Sequence, residues 1–330
     1  MTTAVPSPRE GLAPREHSPS AGGPAVPPRV LSIAGTDPTG GAGIQADLKA
    51  IAACGGYGMA VVTALVAQNT RGVRSVHVPP TSFLREQLDA VGEDVEIDAV
   101  KTGMLFDAEI IAEVSDFLER THPPIVVMDP VMVATSGDRL LRPEAEQGMR
   151  ELLKHVNLVT PNVPELAVLL DEAPARGWDE LIGQAQRLAA ASGTLVLAKG
   201  GHLTEDAVQD ALVDADGVHR VVSSPRLSGA TTHGTGCSLS AAMATLRVRH
   251  GGWERALEEA KPWLAGAIAE GEHLDVGGGT GPVSHFWALW EAAGIRRGRR
   301  ARPGPLVPQR PQPAMRARSP SANSRSGAQS

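Results

Sequence analysis

Short apolar runs alternate with amphipathic stretches along most of this chain, and this alternation limits its fold more than any other feature. Five mostly apolar runs are predicted to be strands buried on both faces: Val30–Ala34, Ala60–Ala67, Ile125–Met128, Asn157–Thr160 and Thr194–Ala198. Helical periodicity lies between them, as in the apolar face of Ile110, Val114 and Phe117. Asp107 is the predicted N-cap of that helix. Strands that alternate with helices predict an α/β fold with a mainly parallel sheet covered on both faces.

One predicted hairpin interrupts the alternation. Ala211–Val213 and Val218–Val222 flank Asp216 and Gly217, which are typical turn residues. In open α/β sheets, ligands bind beyond the carboxyl ends of the strands. The residues that directly follow the predicted strands are therefore the candidate functional residues.

The two ends of the chain differ in composition from the part between them. Residues 1–28 and 296–330 are rich in Pro, Ser or Arg and are predicted to be disordered tails, which leaves residues 29–295 as one domain. Residues 296–330 contain nine Arg and no acid, so subtracting nine from the formal net charge of -6 leaves -15 on the rest. A domain this acidic is not expected to bind nucleic acid.

Cysteine usage and hydropathy indicate the compartment. The two cysteines, Cys54 and Cys237, are too few for a disulfide scaffold and lack the spacing of a zinc site. Residues 1–28 lack the apolar stretch of a signal peptide, and no run approaches the roughly 18 apolar residues of a membrane helix. A cytoplasmic protein without membrane attachment is predicted.

A glycine-rich segment follows the first predicted strand. In Ala34–Asp47, the glycines at positions 40, 41 and 43 allow the backbone to approach a ligand closely. The alternative interpretation is a flexible connector that begins a helix. Neither GxGxxG nor GxxxxGK[ST] is present, so the usual dinucleotide and P-loop interpretations are not supported.

A second glycine-rich segment, Ser228–Cys237, precedes a helix of small residues. The amides of Gly234, Thr235 and Gly236 are predicted to form an anion hole at the helix start, where a migrating phosphoryl group would be stabilised. Cys237 falls in the first turn, where the same positive potential is expected to lower the thiol pKa. The structural alternative is a close helix–sheet contact with a buried, inert cysteine.

Other polar residues also follow predicted strands. Asp129 is costly to bury unless it is paired or metal-bound, although it is also a common turn residue before Pro. Asn162 and Glu165 have the spacing of a helix capping box, and Glu165 is equally a candidate for a magnesium–phosphate cluster. Lys199 is either a phosphate-binding charge or a solvated side chain.

Two residues are candidates for holding a ring. Gln68 offers both a donor and an acceptor to a ring edge, and Met104 offers adaptable apolar surface to a ring face. Taken alone, each is more often an ordinary residue at a strand end.

Seven segments in this order resemble the hydroxymethylpyrimidine/phosphomethylpyrimidine kinases of the ribokinase-like superfamily: IAGTDPTGGAGIQADLKA, ALVAQNT, KTGM, DPVM, TPNVPE, KGGH and THGTGCSLSAA. The resemblance extends from about Val30 to Phe286. It implies a ribokinase-like three-layer sandwich, usually homodimeric, that uses ATP and Mg²⁺. Family members phosphorylate the hydroxymethyl group of 4-amino-5-hydroxymethyl-2-methylpyrimidine, and many then phosphorylate the monophosphate, in thiamine diphosphate biosynthesis.

The resemblance also implies site residues. Those expected at the pyrimidine are Gln68, Gly35, Asp47, Met104 and Val131. Asp129 and Glu165 are expected near the metal-bound phosphates, with Asn162 and Lys199 on the nucleotide side. Gly234, Thr235 and Gly236 are expected to form the anion hole beside Cys237, which stands where many relatives in the wider superfamily have an Asp base.

One departure and two alternatives accompany this assignment. Many relatives have Lys where this chain has Thr135, which implies another cation for the phosphate or weaker binding of the second substrate. A pyridoxal kinase of the same superfamily is the rival enzyme. A non-catalytic pyrimidine-sensing module is the rival of a different class, but its expected mark, loss of the GTGC or TPNVPE elements, is absent.

Overall fold

Every predicted apolar run overlaps a strand in the computed structural model, which describes residues 26–133, 137, 139–205, 207–227 and 231–295. The strands are β1 Arg29–Ala34, β2 Tyr57–Val62, β3 Leu65–Asn69, β4 Gly72–His77, β5 Ala99–Thr102, β6 Val126–Met128, β7 Leu158–Val159, β8 Leu195–Lys199, β9 Ala207–Val213 and β10 Val218–Pro225. The predicted tails lie outside the described residues except for positions 26–28, and Thr135 also lies outside them.

Helices connect most of these strands. They are α1 Gly43–Ala53, α2 Thr81–Gly92, α3 Ala108–Thr121, α4 Glu146–Leu152, α5 Val163–Leu170, α6 Trp178–Ser192, α7 Thr235–His250, α8 Trp253–Ala269 and α9 Trp287–Ala292. Asp107 caps α3 as predicted, because its carboxylate accepts a hydrogen bond from the Ile110 N–H at 3.1 Å. None of the described helices combines the length and the apolar character needed to cross a membrane.

The central sheet has eight strands in the order β10-β9-β8-β7-β6-β5-β1-β2. The strands from β8 to β2 run parallel, and β9 is antiparallel to both β8 and β10. The predicted mainly parallel sheet and the predicted β9–β10 hairpin are therefore confirmed.

One predicted strand is wrong. Ala60–Ala67 is not continuous, because the chain leaves the central sheet between β2 and β3. At this break, the Thr63 hydroxyl donates to the Met104 carbonyl at 2.7 Å and the Thr63 N–H donates to the Ala34 carbonyl at 3.0 Å. These bonds satisfy polar groups in an apolar stretch, so the hydrophobic pattern gives no sign of the break. Beyond it, β3 pairs with β4 in a separate hairpin that the sequence pattern did not predict.

Apolar side chains on both faces of the sheet create two cores. In β6, Val126 and Met128 pack with helices α2 to α6, whereas Val127 between them packs with α1, α7 and α8. Successive side chains of a strand point to opposite faces, so an uninterrupted apolar run supplies both cores. The result is the predicted three-layer sandwich.

A buried ion pair joins α1 to β5. The Lys101 Nζ lies 2.9 and 2.8 Å from the two carboxylate oxygens of Asp47, and both side chains are fully inaccessible to solvent. The Ser32 hydroxyl donates a third hydrogen bond to Asp47 at 2.6 Å. A buried charge is tolerated only when it is paired in this way, so each partner depends on the other.

Replacing Lys101 with Met will leave the Asp47 carboxylate buried without its cation. We expect the free energy of unfolding to fall by about 3–5 kcal/mol, measured by urea denaturation. The matched control is Arg220→Gln, which breaks the exposed pair with Glu258 and should cost about 1 kcal/mol or less. Equal losses in the two variants would contradict the importance of the buried pair.

Candidate active site

The carboxyl ends of the parallel strands open into a cavity of about 690 Å³. Twelve of the thirteen predicted site residues line it: Gly35, Gln68, Met104, Asp129, Val131, Asn162, Glu165, Lys199, Gly234, Thr235, Gly236 and Cys237. The sheet order brings these residues together, since they follow different strands and are distant in sequence.

The first turn of α7 faces this cavity. Its first helical hydrogen bond runs from the Ser238 N–H to the Gly234 carbonyl at 2.9 Å. The Thr235 N–H, one of the three predicted anion-hole amides, instead donates to the Thr232 carbonyl at 3.4 Å. The N–H groups of Gly236 and Cys237 precede the first helical bond, so they have no helical carbonyl as acceptor, and the helix dipole adds positive potential there. Helix starts with such amides favour anions, so this turn is a candidate anion-binding site.

Two glycine loops pack against each other at this helix start. We call residues 37–43 the first glycine loop and residues 232–236 the second glycine loop. Gly234 has a φ of +82°, and a Cβ on it would lie 1.7 Å from the Gly41 carbonyl oxygen. Only glycine is compatible with both the backbone conformation and the contact.

A carboxylate and an ammonium group lie beneath the first turn of α7. Asp129 and Lys199 pair at 3.2 Å, and a Cβ on Gly236 would lie 3.4 Å from both Asp129 Oδ2 and Lys199 Nζ. Burial opposes the charge of Lys199, but the neighbouring Asp129 and Glu165 carboxylates outweigh it and raise its pKa. Lys199 is therefore a cation placed beside the amides of the helix start.

The capping-box prediction for α5 is confirmed, and the same residues line the cavity. The Glu165 N–H donates to Asn162 Oδ1 and the Asn162 N–H donates to Glu165 Oε2, each at 2.9 Å. Burial raises the pKa of Glu165 to about 7, with Lys199 opposing and Asp129 adding to the shift. The two interpretations from sequence are thus compatible, since Glu165 caps the helix and faces the cavity.

The acidic groups suit a metal that arrives with phosphate. Among the described residues, no group of three or more His, Cys, Asp or Glu side chains could hold a metal ion alone. Asp129 and Glu165 are two carboxyl groups that line the same part of the cavity beside Lys199. Mg²⁺ is commonly bound by one or two carboxylates together with substrate phosphates. The donor set fits that arrangement.

The expected lowering of the Cys237 pKa is wrong. Although the residue as a whole is only half-buried, loss of solvent around the sulfur raises the pKa of the thiol to about 12. Lys101 acts in the opposite direction, whereas Asp47 and Asp129 add to the increase. The positive end of α7 is thus outweighed by desolvation and by two neighbouring carboxylates.

The other end of the cavity is an apolar slot. Met104, Val66 and Leu140 belong to one small apolar cluster, and Val131 packs against it. A Cβ on Gly35 would lie 3.1 Å from the Met104 sulfur, so glycine at this position keeps the slot open. Gln68 supplies a polar side chain at the rim.

Asp47 is the predicted site residue that the structure does not place on the cavity wall. Its side chain is fully buried and bound by Lys101 and Ser32. It therefore acts on the site from behind the wall, through Lys101 and through its charge, which raises the pKa of the Cys237 thiol.

Residues 279–281 join the slot to the end of the cavity beside the first turn of α7. The Gly279 and Thr280 N–H groups donate to the Thr70 hydroxyl and carbonyl at 3.1 and 2.9 Å. The Gly281 carbonyl accepts from the His233 N–H at 3.1 Å. Residues 279–281 thus contact both the β3–β4 turn and the second glycine loop, and we call them the strap.

Sequence reasoning missed several residues at this site. His233 lines the cavity, and its ring binds the buried Asp37. Lys261 and Asp210 also line it and form a second buried ion pair. The one available signal was Asp210, a charged residue within an otherwise mainly apolar strand, because buried carboxylates need partners.

Comparisons with known proteins identify the family of this chain. Residues 37–284 match the sequence profile of the phosphomethylpyrimidine kinase family. The hydroxymethylpyrimidine/phosphomethylpyrimidine kinase of Salmonella typhimurium is 51% identical over 261 residues, covering 79% of this chain and 98% of that protein. The solved structure of Bacillus subtilis pyridoxal kinase in complex with ADP has a TM-score of 0.73 and 32% identity, covering 80% of this chain and 99% of that one.

Some relatives are longer proteins. The thiamine biosynthesis multifunctional protein ThiED of Corynebacterium efficiens is 52% identical over 284 residues, and the match covers 86% of this chain but 38% of that protein. The chain therefore spans well under half the length of that relative. The predicted ribokinase-like fold and the predicted family are both confirmed, and the chain belongs to the phosphomethylpyrimidine kinase family.

Proposed function

We propose that this protein transfers the terminal phosphoryl group of ATP to 4-amino-5-hydroxymethyl-2-methylpyrimidine, and then to the resulting monophosphate, in thiamine diphosphate biosynthesis. The observation that carries the proposal is one cavity with an apolar slot at one end and the α7 anion site at the other. The name of the Salmonella typhimurium relative supports the pyrimidine, and the ADP complex of the Bacillus subtilis protein supports the nucleotide.

In this proposal, the slot binds the pyrimidine ring. Met104 and Val131 contact the faces of the ring, and Gly35 leaves room for it. The Gln68 amide offers both a donor and an acceptor, which matches a ring nitrogen beside an amino group. The hydroxymethyl group then points along the cavity toward Cys237.

The nucleotide phosphates occupy the other end. Amides of the α7 first turn and the Lys199 ammonium bind phosphate oxygens, while Asn162 orients the nucleotide. Asp129 and Glu165 would hold Mg²⁺, which supplies positive charge to the phosphates during transfer. Catalysis of this kind depends on positioning and charge stabilisation more than on covalent chemistry by the protein.

The transfer forms a bond between the hydroxymethyl oxygen and the terminal phosphorus and breaks the bond from that phosphorus to ADP, which keeps the electron pair. The thiolate form of Cys237 accepts the hydroxyl proton and becomes a thiol. Burial makes the thiolate scarce, whereas the nearby charge of Lys101 lowers the free-energy cost of forming it. The raised pKa makes the thiolate a strong proton acceptor whenever it forms, and phosphoryl transfer depends on positioning and charge stabilisation more than on base chemistry.

A homodimer in the cytoplasm completes the proposal and rests on the family resemblance. The β2 strand is at an edge of the central sheet, where Tyr57 is 64% exposed. Light scattering of the purified chain at micromolar concentration would measure its mass, and a monomer would contradict this part.

The second candidate function is pyridoxal phosphorylation. It is favoured by the structural similarity to the Bacillus subtilis pyridoxal kinase at 32% identity. The higher identity of 51% to the Salmonella typhimurium kinase favours the pyrimidine.

A coupled assay for ADP release distinguishes these functions. We expect ADP release to require both Mg²⁺ and the pyrimidine alcohol, with the phosphorylated pyrimidine identified by mass spectrometry. EDTA should abolish the reaction and added Mg²⁺ should restore it. Faster initial rates with pyridoxal would overturn the substrate assignment. ADP release without a phosphorylated pyrimidine would instead support the sensing module.

The Cys237→Ala variant tests the proposed base. Its kcat should fall by about 10²–10⁴-fold, the usual contribution of proton transfer, while its circular dichroism spectrum remains that of the wild type. Cys54→Ala is the matched control, because Cys54 is buried in the core away from the cavity, and it should retain wild-type kcat. Near-normal turnover by Cys237→Ala would remove this residue from the mechanism.

A further inference from the structure

A single buried carboxylate organises the first glycine loop. Asp37 is fully buried and accepts hydrogen bonds from the N–H groups of Thr39, Gly41 and Ala42 at 2.9, 3.0 and 2.8 Å. The Thr39 hydroxyl adds a further bond to it. Satisfying several backbone donors with one side chain fixes the path of the loop, because glycines alone would leave it many conformations.

The same carboxylate reaches the second glycine loop. Asp37 Oδ2 lies 2.8 Å from His233 Nε2, although the two residues are 196 positions apart. Burial acts to raise the pKa of Asp37, but hydrogen bonds from His233 and Thr39 outweigh it and hold the pKa well below its usual range. An ionised carboxylate can only accept, so His233 Nε2 carries a proton and donates it.

The contact between the loops is tight at this point. A Cβ on Gly41 would lie 2.5 Å from His233 Cδ2, and one on Gly234 would lie 1.7 Å from the Gly41 oxygen. The backbone of His233 is held from its other side by the Gly281 carbonyl of the strap. A shift of either loop would therefore move the start of α7 and its amides.

Resting on the proposed kinase function, we propose that Asp37 and His233 are positioning residues for phosphoryl transfer. Their hydrogen bond holds the two glycine loops together, so that the first-turn amides of α7 are aimed at the phosphoryl group. The Asp37 side chain acts only through other groups, and His233 acts through the backbone that precedes Gly234. Neither role requires contact with the pyrimidine.

Substitution of His233 tests this inference while the backbone N–H donors of the first glycine loop stay paired with Asp37. We expect His233→Ala to lower kcat by about 10- to 100-fold, the range for a lost hydrogen bond to a charged group. His233→Gln retains a donor of similar reach and should recover most of that loss. The Michaelis constant for the pyrimidine should stay within about twofold in both variants, since the slot is unchanged.

Asp37→Asn provides the second variant, and its combination with His233→Ala gives a double-mutant cycle. If the two residues act as one unit, the double variant should be no slower than Asp37→Asn alone. His219→Ala is the matched control, because it removes the exposed His219–Asp214 pair on the β9–β10 hairpin, and it should retain wild-type kinetics. Calorimetry with a non-hydrolysable ATP analogue should show weaker binding in His233→Ala than in the wild type.

Three outcomes would overturn the inference: wild-type kcat and analogue affinity in His233→Ala, no recovery in His233→Gln, or additive losses in the double variant. These are separable from failure of the proposed function. A wild-type protein that binds the analogue but leaves the pyrimidine unphosphorylated would refute the function, while weaker analogue binding in His233→Ala would still support the positioning role.

Discussion

The site depends on the start of α7 lying in backbone contact with the first glycine loop. A side chain at Gly234 would collide with the Gly41 carbonyl, and one at Gly236 would contact Asp129 and Lys199. These glycines have no side chains. As a result, one small volume holds free amides, a lysine and two carboxylates. The parallel sheet contributes by ending several strands at the same edge. Helix α7 is anchored above that edge by apolar packing in the core that it shares with α1 and α8.

Buried charges in this protein occur as compensated groups. Lys101 is paired with Asp47, Lys199 with Asp129, and Lys261 with Asp210. Removing water strengthens each pair but penalises any charge without a partner, and this explains why the Cys237 thiol remains protonated. The low-polarity surroundings of these groups would also strengthen the interaction of the site with phosphate charge. One physical condition therefore disfavours the thiolate and favours the binding of a multivalent anion.

Much of this fold followed from local pattern, because apolar runs and helical periodicity report burial directly. The break at Thr63 did not follow, since the Thr63 hydroxyl bonds the distant Met104 carbonyl there, and the β3–β4 hairpin beyond the break was not predicted either. Twelve of the thirteen site residues that motif resemblance identified lie on the cavity wall, whereas Asp47 lies behind it, bound to Lys101. The thiol pKa and the Asp37–His233 bond depend on solvent exclusion and on contacts between residues far apart in sequence. Such properties become visible only after the chain has folded.

The strap also has a consequence for biosynthesis on the ribosome. The β3–β4 turn and the first glycine loop are made early, but residues 279–281 that bind Thr70 and His233 emerge more than two hundred positions later. Domains generally fold as units during translation. A nascent chain that stops short of the strap therefore has both ends of the cavity but lacks the connection between them. Completion of the cavity is thereby delayed until nearly the whole sandwich has been translated.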